Sequence, residues 1–256
     1  MRNSRQPFHQ NRPKKSSLII GQKKVIDAMI AGEQIERIYL ANKIYGKAAD
    51  EIKRVAEEQQ IPINKVPVEK INGFNVENHE GCVALRGKIK YQELQQVISI
   101  VVENGEVPLF LILEGITDIR NIGALARTAY SCGVHAIIIP DKGVGALNDD
   151  AIATSAGALE RIPVCRVTSL MKAVDELHFN GIKVFASEMT AETKIFDINF
   201  SEPCAVIMGS EDKGIFPALI KVCDDQFSIP MKHNFESLNV SVAAGMILYE
   251  VMRQRM

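Results

Sequence analysis

The chain falls into a smaller and a larger part, and each alternates between strand-like and helix-like patterns. In the smaller part, residues 18–87, short apolar runs of strand length are separated by segments whose apolar residues recur at helical spacing. The predicted elements of this part are a helix at 24–30, a strand at 35–40, a helix at 48–56 and extended segments at 61–68 and 81–85. Helices and strands that alternate over so short a stretch predict a small α/β domain.

The larger part, residues 107–256, has a stronger pattern, because its strands are apolar at consecutive positions. The predicted strands are 109–113, 136–140, 182–186, 205–208 and 227–230. Strands that are apolar on both faces belong to a parallel sheet covered by helices on both sides. The last predicted helix, 238–252, is apolar almost all round, so it should be buried or lie in a subunit interface.

Polar segments precede and join the two parts. Residues 88–106 are charged and contain one amphipathic stretch around Leu94, Val97 and Ile98, which predicts a linker that includes a helix. Residues 1–17 are rich in polar and basic side chains, which predicts a disordered arm.

Charge is unevenly distributed along the chain. The net charge is −1, but residues 1–24 carry seven basic and no acidic side chains, so the remainder sums to −8. A cationic arm can collect phosphate groups and release their counterions, and a solvated tail is an equally good interpretation. Because the remainder is acidic, any nucleic-acid site on it must be a local patch.

Composition narrows the class of protein. With 46% hydrophobic and 24% charged residues over 256 positions, the chain is typical of a globular protein of one or two domains. It has no apolar run long enough to predict a transmembrane helix, and its polar start lacks the apolar core of a secretory signal. The five cysteines are odd in number and never form a CxxC pair, which favours reduced thiols in the cytoplasm over disulfides or a zinc site.

Three segments carry candidate chemistry. The first, 114–133, follows a strand, turns through polar residues and enters a helix that Gly133 can end. Gly123 and Arg127 are four residues apart on one helix face, so the glycine would leave the guanidinium open to a bulky ligand. The planar fork of arginine suits phosphate, although spacing alone favours an ion pair with a carboxylate on the helix surface.

The second segment, 207–215, places two glycines after an apolar strand. Gly209 and Gly214 permit close approach of a ligand at the carboxyl end of the strand, where open α/β sheets bind ligands. Their spacing matches neither the dinucleotide-binding fingerprint nor the P-loop. By themselves, Glu211 and Asp212 are typical of a tight turn.

The third segment, 229–245, runs from a polar loop into the last predicted helix. Ser237 is a good helix N-cap, and Asn239 offers an amide either to a ligand or to the backbone as a cap. His233 is expected to be exposed rather than catalytic, because the sequence indicates no cysteine or serine partner nearby.

The order and combination of these segments resembles the three motifs of the SpoU/TrmH methyltransferases. The matching patterns are NxGxxxRTA at 121–129, GSExxG at 209–214 and IPM…SLNVSVAAG at 229–245. The resemblance covers residues 108–256, while residues 18–87, with HEGCVA at 79–84, look like the ribosomal-protein-like RNA-binding domain that often precedes this catalytic domain. The glutamine that is usual before the glycine of this pattern is Glu80 here, so an RNA contact by that side chain is not carried over.

The resemblance implies a fold and a cofactor. Members of the family have a parallel sheet whose C-terminal segment forms a deep trefoil knot, bind S-adenosylmethionine in that knot, and are usually homodimers through the knot region and the last helix. Such knots are rare exceptions to the usual topology, so periodicity cannot predict one. The residues at the matching cofactor-binding positions are Gly209, Ile229, Ser237 and Leu238, with the loop at 186–188 nearby.

The same resemblance implies transfer of a methyl group from S-adenosylmethionine to a ribose 2′-hydroxyl of RNA, with ribosomal RNA as the expected substrate. Arg127 matches the catalytic arginine, Asn121, Glu211 and Asn239 match positions that organise the active site, and no metal is implied. Because arginine stays protonated in proteins, a phosphate clamp that stabilises developing negative charge is preferred to a role as base. The alternatives are the same reaction on transfer RNA and a noncatalytic RNA-binding protein, although the latter would be expected to lose Arg127 or the glycine loop.

Overall fold

The computed structural model describes residues 17–59, 61–210, 212–233 and 237–256. The chain forms two compact units, of which the first ends at Gly87 and the second begins at Lys88. Apart from Ser17, the predicted basic arm lies outside the described residues, and so does Glu211. No helix among the described residues is long and apolar enough to cross a membrane.

The first unit is a four-stranded sheet with helices on both faces. Its elements are, in chain order, β1 (Leu18–Ile20), α1 (Gln22–Ile30), β2 (Ile35–Ala41), α2 (Lys47–Glu58), β3 (Ile63–Val66), α3 (Val68–Asn72) and β4 (Cys82–Arg86). The strand order is β1-β4-β2-β3, with β2 parallel to β3 and antiparallel to β4. Alternate side chains of β2 point to opposite faces, so Ile38 and Leu40 pack with α1 and α2, whereas Tyr39 packs on the side of α3. The prediction of a small α/β domain is confirmed.

The second unit is a six-stranded sheet. Its strands are β5 (Leu109–Leu113), β6 (Ala136–Pro140), β7 (Val164–Val167), β8 (Lys183–Ser187), β9 (Cys204–Met208) and β10 (Asp225–Phe227). Its helices are α4 (Leu94–Glu103), α5 (Ile119–Ser131), α6 (Asp149–Thr154), α7 (Leu170–Phe179), α8 (Pro217–Ile220) and α9 (Val240–Arg255). The strand order is β10-β8-β9-β5-β6-β7, and every neighbouring pair is parallel. The predicted parallel sheet is confirmed, while the trefoil knot stays a prediction.

Two layers of helices cover this sheet. One face packs against α5, α6 and α9 through side chains such as Leu125 and Ile247, and the other packs against α4, α7 and α8 through side chains such as Val97 and Val174. The central strands β5 and β9 are buried at every position. Their uninterrupted apolar sequences follow from burial on both faces.

The two edge strands are the ones that the apolar pattern predicts poorly. The pattern does not predict β7, because this strand carries the polar Arg166, whose guanidinium lies 3.6 Å from the centre of the Tyr91 ring. It places a strand at 227–230, whereas β10 begins earlier with the exposed Asp225 and Gln226. An edge strand has only one neighbour and tolerates polar residues, so its hydrophobic signal is weak.

The segment predicted as a linker packs into the second unit. Helix α4 buries Leu94, Val97, Ile98 and Val101 in the core on one face of the parallel sheet. Four apolar side chains at helical spacing hold α4 on the sheet by the hydrophobic effect. The helix predicted within residues 88–106 is confirmed as α4, and its packing makes this segment a structural part of the second unit.

Two isoleucines of α4 test this packing. Ile98 is 1% exposed and Ile100 is 47% exposed. We expect Ile98→Ala to lower the free energy of unfolding by about 2–5 kcal/mol, because it leaves a cavity, and Ile100→Ala to change it by no more than about 0.5 kcal/mol. Urea denaturation of the full chain followed by circular dichroism measures both values. Equal effects of the two substitutions would contradict the packing of α4 on the sheet.

Candidate functional site

The carboxyl ends of β8, β9 and β10 surround a cavity of about 540 Å³. Its lining comes from residues within 187–190, 208–214, 228–231 and 237–243. Loops from neighbouring parallel strands meet at this edge of a sheet, which is where open α/β sheets bind ligands. The cavity is therefore the first candidate site of the second unit.

All four residues predicted to bind a cofactor line this one cavity. They are Gly209, Ile229, Ser237 and Leu238. The predicted neighbouring loop, 186–188, contributes Ser187 and Glu188. The fold thus brings together positions that lie far apart in the sequence, and their role in binding stays a prediction.

Gly209 is required by the backbone of its own loop. A Cβ atom at this position would lie 2.3 Å from the carbonyl carbon of Gly214 and 2.6 Å from the nitrogen of Ile215. Gly214 has a φ of +64°, and its amide donates to the carbonyl oxygen of Ser210 over 2.9 Å. The sequence predicts close approach of a ligand, whereas the structure shows close approach of the loop to itself, which shapes the cavity wall.

Ser228, which no motif singles out, holds another wall of the cavity. Its side chain is buried, and its hydroxyl donates to the carbonyl oxygen of Ala191 over 2.9 Å and accepts from the ammonium group of Lys194 over 3.0 Å. Its amide also donates to the carbonyl oxygen of Thr193 over 2.9 Å. These bonds tie the loop after β8 to the end of β10. A serine next to a strand end has no sequence signal of its own, so only the tertiary contacts reveal this role.

The lining combines apolar and charged side chains. Among the described lining residues, Ile229 and Leu238 offer apolar surface, while Glu188 and Asp212 are acidic and Lys213 is basic. Apolar side chains suit the faces of a flat ring, and an excess of carboxylates suits a ligand that carries positive charge. The cavity can therefore hold an aromatic, cationic molecule.

Asn121 and Asn239 meet where α5 and α9 begin. The side-chain nitrogen of Asn239 donates to the side-chain oxygen of Asn121 over 3.1 Å. The side-chain oxygen of Asn239 accepts from the amide of Ser241 over 3.0 Å, so Asn239 is the N-cap of α9. The prediction of Ser237 as the N-cap is wrong, because the helix begins two residues later and Ser237 lines the cavity instead.

Arg127 lies on α5, about 9 Å beyond Asn121 along the helix axis at the usual rise per residue. Its side chain is exposed, and it is not among the described residues that line the cavity. Gly123 is buried, and a Cβ atom there would lie 2.6 Å from the Cβ of Thr154 and 2.9 Å from the nitrogen of Ser155. The prediction that Gly123 clears space for a ligand of Arg127 is wrong, because the glycine clears space for the end of α6.

The cysteines and His233 are further candidates for a reactive group. All five cysteines are free, and burial raises the pKa of the Cys82, Cys165 and Cys223 thiols to about 12, so these three are poor nucleophiles. His233 is exposed, as predicted. Within the part of the chain that the structure describes, no group of three His, Cys, Asp or Glu side chains could hold a metal ion.

Known proteins resemble both units. Residues 108–249 match the SpoU rRNA Methylase family, and residues 18–92 match a domain described as RNA 2′-O ribose methyltransferase substrate binding. A protein of Bacillus subtilis (strain 168) assigned to the TrmH family of tRNA/rRNA methyltransferases is 33% identical over 237 residues, which are 93% of this chain and 95% of that protein. A relative from Staphylococcus aureus (strain MSSA476), with the same assignment, is 34% identical over 239 residues, which are 93% of this chain and 96% of that protein.

Solved structures share the fold. The SpoU methyltransferase AviRb from Streptomyces viridochromogenes, in complex with the cofactor AdoMet, superposes with a TM-score of 0.58 at 23% identity, covering 97% of this chain and 94% of that one. The family match and the curated relatives place the chain in the class of RNA methyltransferases. This chain belongs to the SpoU/TrmH family of RNA methyltransferases.

Two glycines test the shape of the cavity wall. We expect Gly209→Ala to lower the free energy of unfolding by about 1–3 kcal/mol, because its methyl group would overlap the backbone of Gly214. Gly245, inside α9, has no atom within 4 Å of a built Cβ, so Gly245→Ala should leave stability unchanged or raise it by up to about 1 kcal/mol. Thermal unfolding of both variants is the measurement. A Gly209→Ala protein as stable as the wild type would show that the loop does not pack as described.

Proposed function

We propose that this chain transfers a methyl group from S-adenosylmethionine to a ribose 2′-hydroxyl of RNA, and that ribosomal RNA is its substrate. The observation that carries the proposal is that the second and third motif segments line one cavity and that the third is hydrogen-bonded to the first. Leu238 lines that cavity, and the next residue, Asn239, bonds to the start of α5, the helix that carries Arg127. A methyl donor and an RNA ligand can thus be held by adjoining residues.

The residues of the cavity fit S-adenosylmethionine. A volume of about 540 Å³ lies within the range of roughly 300–1,000 Å³ that is usual for pockets of small molecules. Ile229 and Leu238 suit the faces of the adenine ring, and Glu188 and Asp212 suit the positive charges of the sulfonium and ammonium groups. The bound cofactor supplies an electrophilic methyl group.

The protein's own part in the reaction is to orient the RNA and to stabilise charge. The Asn121–Asn239 hydrogen bond fixes α5 against the segment that lines the cavity. Holding the ribose hydroxyl in line with the methyl group can remove roughly 7–11 kcal/mol of the barrier. The exposed guanidinium of Arg127 clamps an RNA phosphate with two parallel hydrogen bonds and stabilises negative charge that develops on the ribose oxygen. Glu211 is assigned to the same active site on the motif alone.

The family match supports ribosomal RNA as the substrate, since residues 108–249 match the SpoU rRNA Methylase family. Relatives assigned to both tRNA and rRNA methylation make transfer RNA the second candidate. A noncatalytic RNA-binding role has less support, because Arg127 and the glycines of 209–214 are all present. We place the reaction in the cytoplasm, which suits five free cysteines.

The first unit supplies RNA affinity in this proposal. Its match to a substrate-binding domain of RNA methyltransferases supports that role. The basic residues of 1–17 add salt-sensitive capture of phosphate, because each neutralised phosphate releases counterions. The proposed domains are therefore an RNA-binding domain at 18–87 and a catalytic domain at 107–256, onto which the segment 88–106 packs.

The proposal includes a homodimer through α9. One face of this helix is buried in the core of the second unit. The other face presents Val242, Met246 and Tyr249, which are 49%, 48% and 65% exposed. These positions are four and three residues apart, so they form one apolar stripe on the surface of the helix. A second copy of the chain is the occupant that would cover this stripe.

Arg127 provides the direct test of the reaction. We expect Arg127→Ala to lower the rate of methyl transfer at least roughly a hundredfold, the scale of losing one charge-stabilising donor, and to leave the cofactor dissociation constant near that of the wild type. Arg127→Lys should rescue poorly, because an ammonium group cannot reproduce the planar fork. Arg120→Ala is the matched control, since Arg120 lies on the same helix and pairs with Asp118.

The measurement is single-turnover methylation of ribosomal RNA and of transfer RNA, with mapping of the modified atom and cofactor titration on the same preparations. Near-normal transfer by Arg127→Ala would refute the role of the arginine. Methyl groups found only on bases would refute the 2′-hydroxyl as the acceptor, and transfer to transfer RNA alone would refute the choice of ribosomal RNA.

A charge in the apolar stripe of α9 tests the dimer. We expect Met246→Glu to convert a dimer into a monomer in sedimentation velocity, because a carboxylate buried in an apolar interface loses its hydration. Met171→Glu is the control, because Met171 is 37% exposed on α7, outside the stripe. If Met246→Glu sediments like the wild-type dimer, the interface lies elsewhere.

A further inference from the structure

The first unit contains a cavity of its own at the carboxyl ends of its two parallel strands. This cavity of about 500 Å³ is lined by residues 41–44 at the end of β2, residues 67–69 after β3, and Glu80 and Gly81 in the turn before β4. We call it the base cavity. It belongs to the unit that matches a substrate-binding domain of RNA methyltransferases, so RNA is the ligand class to which it is assigned.

The turn that forms one wall of the base cavity is held in a conformation that costs free energy. Asn75, Asn78 and Glu80 have φ values of 53°, 54° and 48°. Asparagine tolerates this left-handed region, but for a glutamate it is uncommon. Such a conformation persists only where the surrounding contacts fix it.

Hydrogen bonds on both sides of Glu80 fix this conformation. The carboxylate of Glu80 accepts from the amide of Gln22, at the start of α1, over 3.3 Å, and its carbonyl oxygen accepts from the side-chain nitrogen of Gln22 over 2.9 Å. The amide of Gly81 donates to Nδ1 of His79 over 3.0 Å. Glu80, which lines the base cavity, is therefore held in one conformation before any ligand arrives.

The side chains that line the base cavity suit a base of an RNA better than a phosphate. The apolar ones are those of Ala41, Ile44, Pro67 and Val68. Among the described residues that line the base cavity, Glu69 and Glu80 are acidic and Lys43 is basic, so the balance of charge disfavours a phosphate. Apolar surface together with carboxylate acceptors suits a flat ring that carries N–H donors. Tyr45, which follows the lining residues 41–44, is 83% exposed and offers a stacking surface.

We propose that the base cavity binds one unpaired guanine base of the substrate RNA, with Glu69 and Glu80 as hydrogen-bond acceptors. Protein recognition of RNA sequence commonly targets single-stranded segments, whose bases can leave the stack. Guanine carries an imino and an amino donor on one edge, which the two oxygens of a carboxylate can accept together. The other three bases lack this pair of adjacent donors. The inference rests on the proposed function, because it names the RNA feature that the first unit recognises.

The test uses the full chain and four fluorescent heptamers of uridine whose central nucleotide is guanosine, inosine, adenosine or uridine. Inosine lacks only the amino group of guanosine. We expect the wild type to bind the guanosine heptamer about tenfold more tightly than the inosine heptamer at physiological salt, since a hydrogen bond to a charged group is on this scale. Glu80→Gln and Glu69→Gln should each reduce this preference to about twofold. Glu77→Gln, an exposed residue of the same turn outside the lining, should retain it.

Glu80→Gln keeps a side-chain oxygen that can accept from the amide of Gln22. Glu69→Gln does not alter that contact, so it tests the proposal by itself if Glu80→Gln fails to fold. Equal affinity of the wild type for all four heptamers overturns the proposal, as does a preference that survives both substitutions. Methylation of ribosomal RNA is measured with the same preparations. Normal methylation without base preference overturns the base cavity alone, whereas base preference without methylation of any RNA overturns the proposed function alone.

Discussion

The second unit depends on one constraint, which is that a parallel sheet must be covered by helices on both faces. Helices α5, α6 and α9 cover one face and α4, α7 and α8 cover the other. Because every neighbouring strand pair is parallel, all six strands end at the same edge. Segments as far apart in the chain as Glu188 and Leu238 therefore line one cavity. The candidate site is a consequence of how the sheet is buried.

Two motif glycines serve the packing of the backbone rather than contact with a ligand. At Gly209, the missing side chain lets a loop close on its own backbone, and at Gly123 it lets α5 approach the end of α6. In both places a Cβ atom would lie within 3 Å of a neighbouring atom. A glycine in a functional motif can thus mark a site because it shapes the wall of that site.

Polar side chains at both candidate sites are fixed by the ends of helices. Asn239 caps α9 and bonds to Asn121, while Glu80 accepts from the first amide of α1 and lines the base cavity. A helix end has amides without partners inside the helix, so it holds such acceptors in place. Side chains held in this way meet a ligand without first losing rotamer freedom, which favours binding.

By itself, the sequence determined the interior strands, the order of the motifs and the family, because strands β5 and β9 are apolar throughout and the motif residues are local patterns. It did not determine the edge strands β7 and β10, whose polar residues weaken the apolar signal, or the packing of α4 on the sheet. The contacts of Gly123, Ser228 and Glu80 were decided only by the tertiary structure. Each of these contacts joins residues that are distant in the chain, and no local pattern encodes which distant atom a side chain will meet.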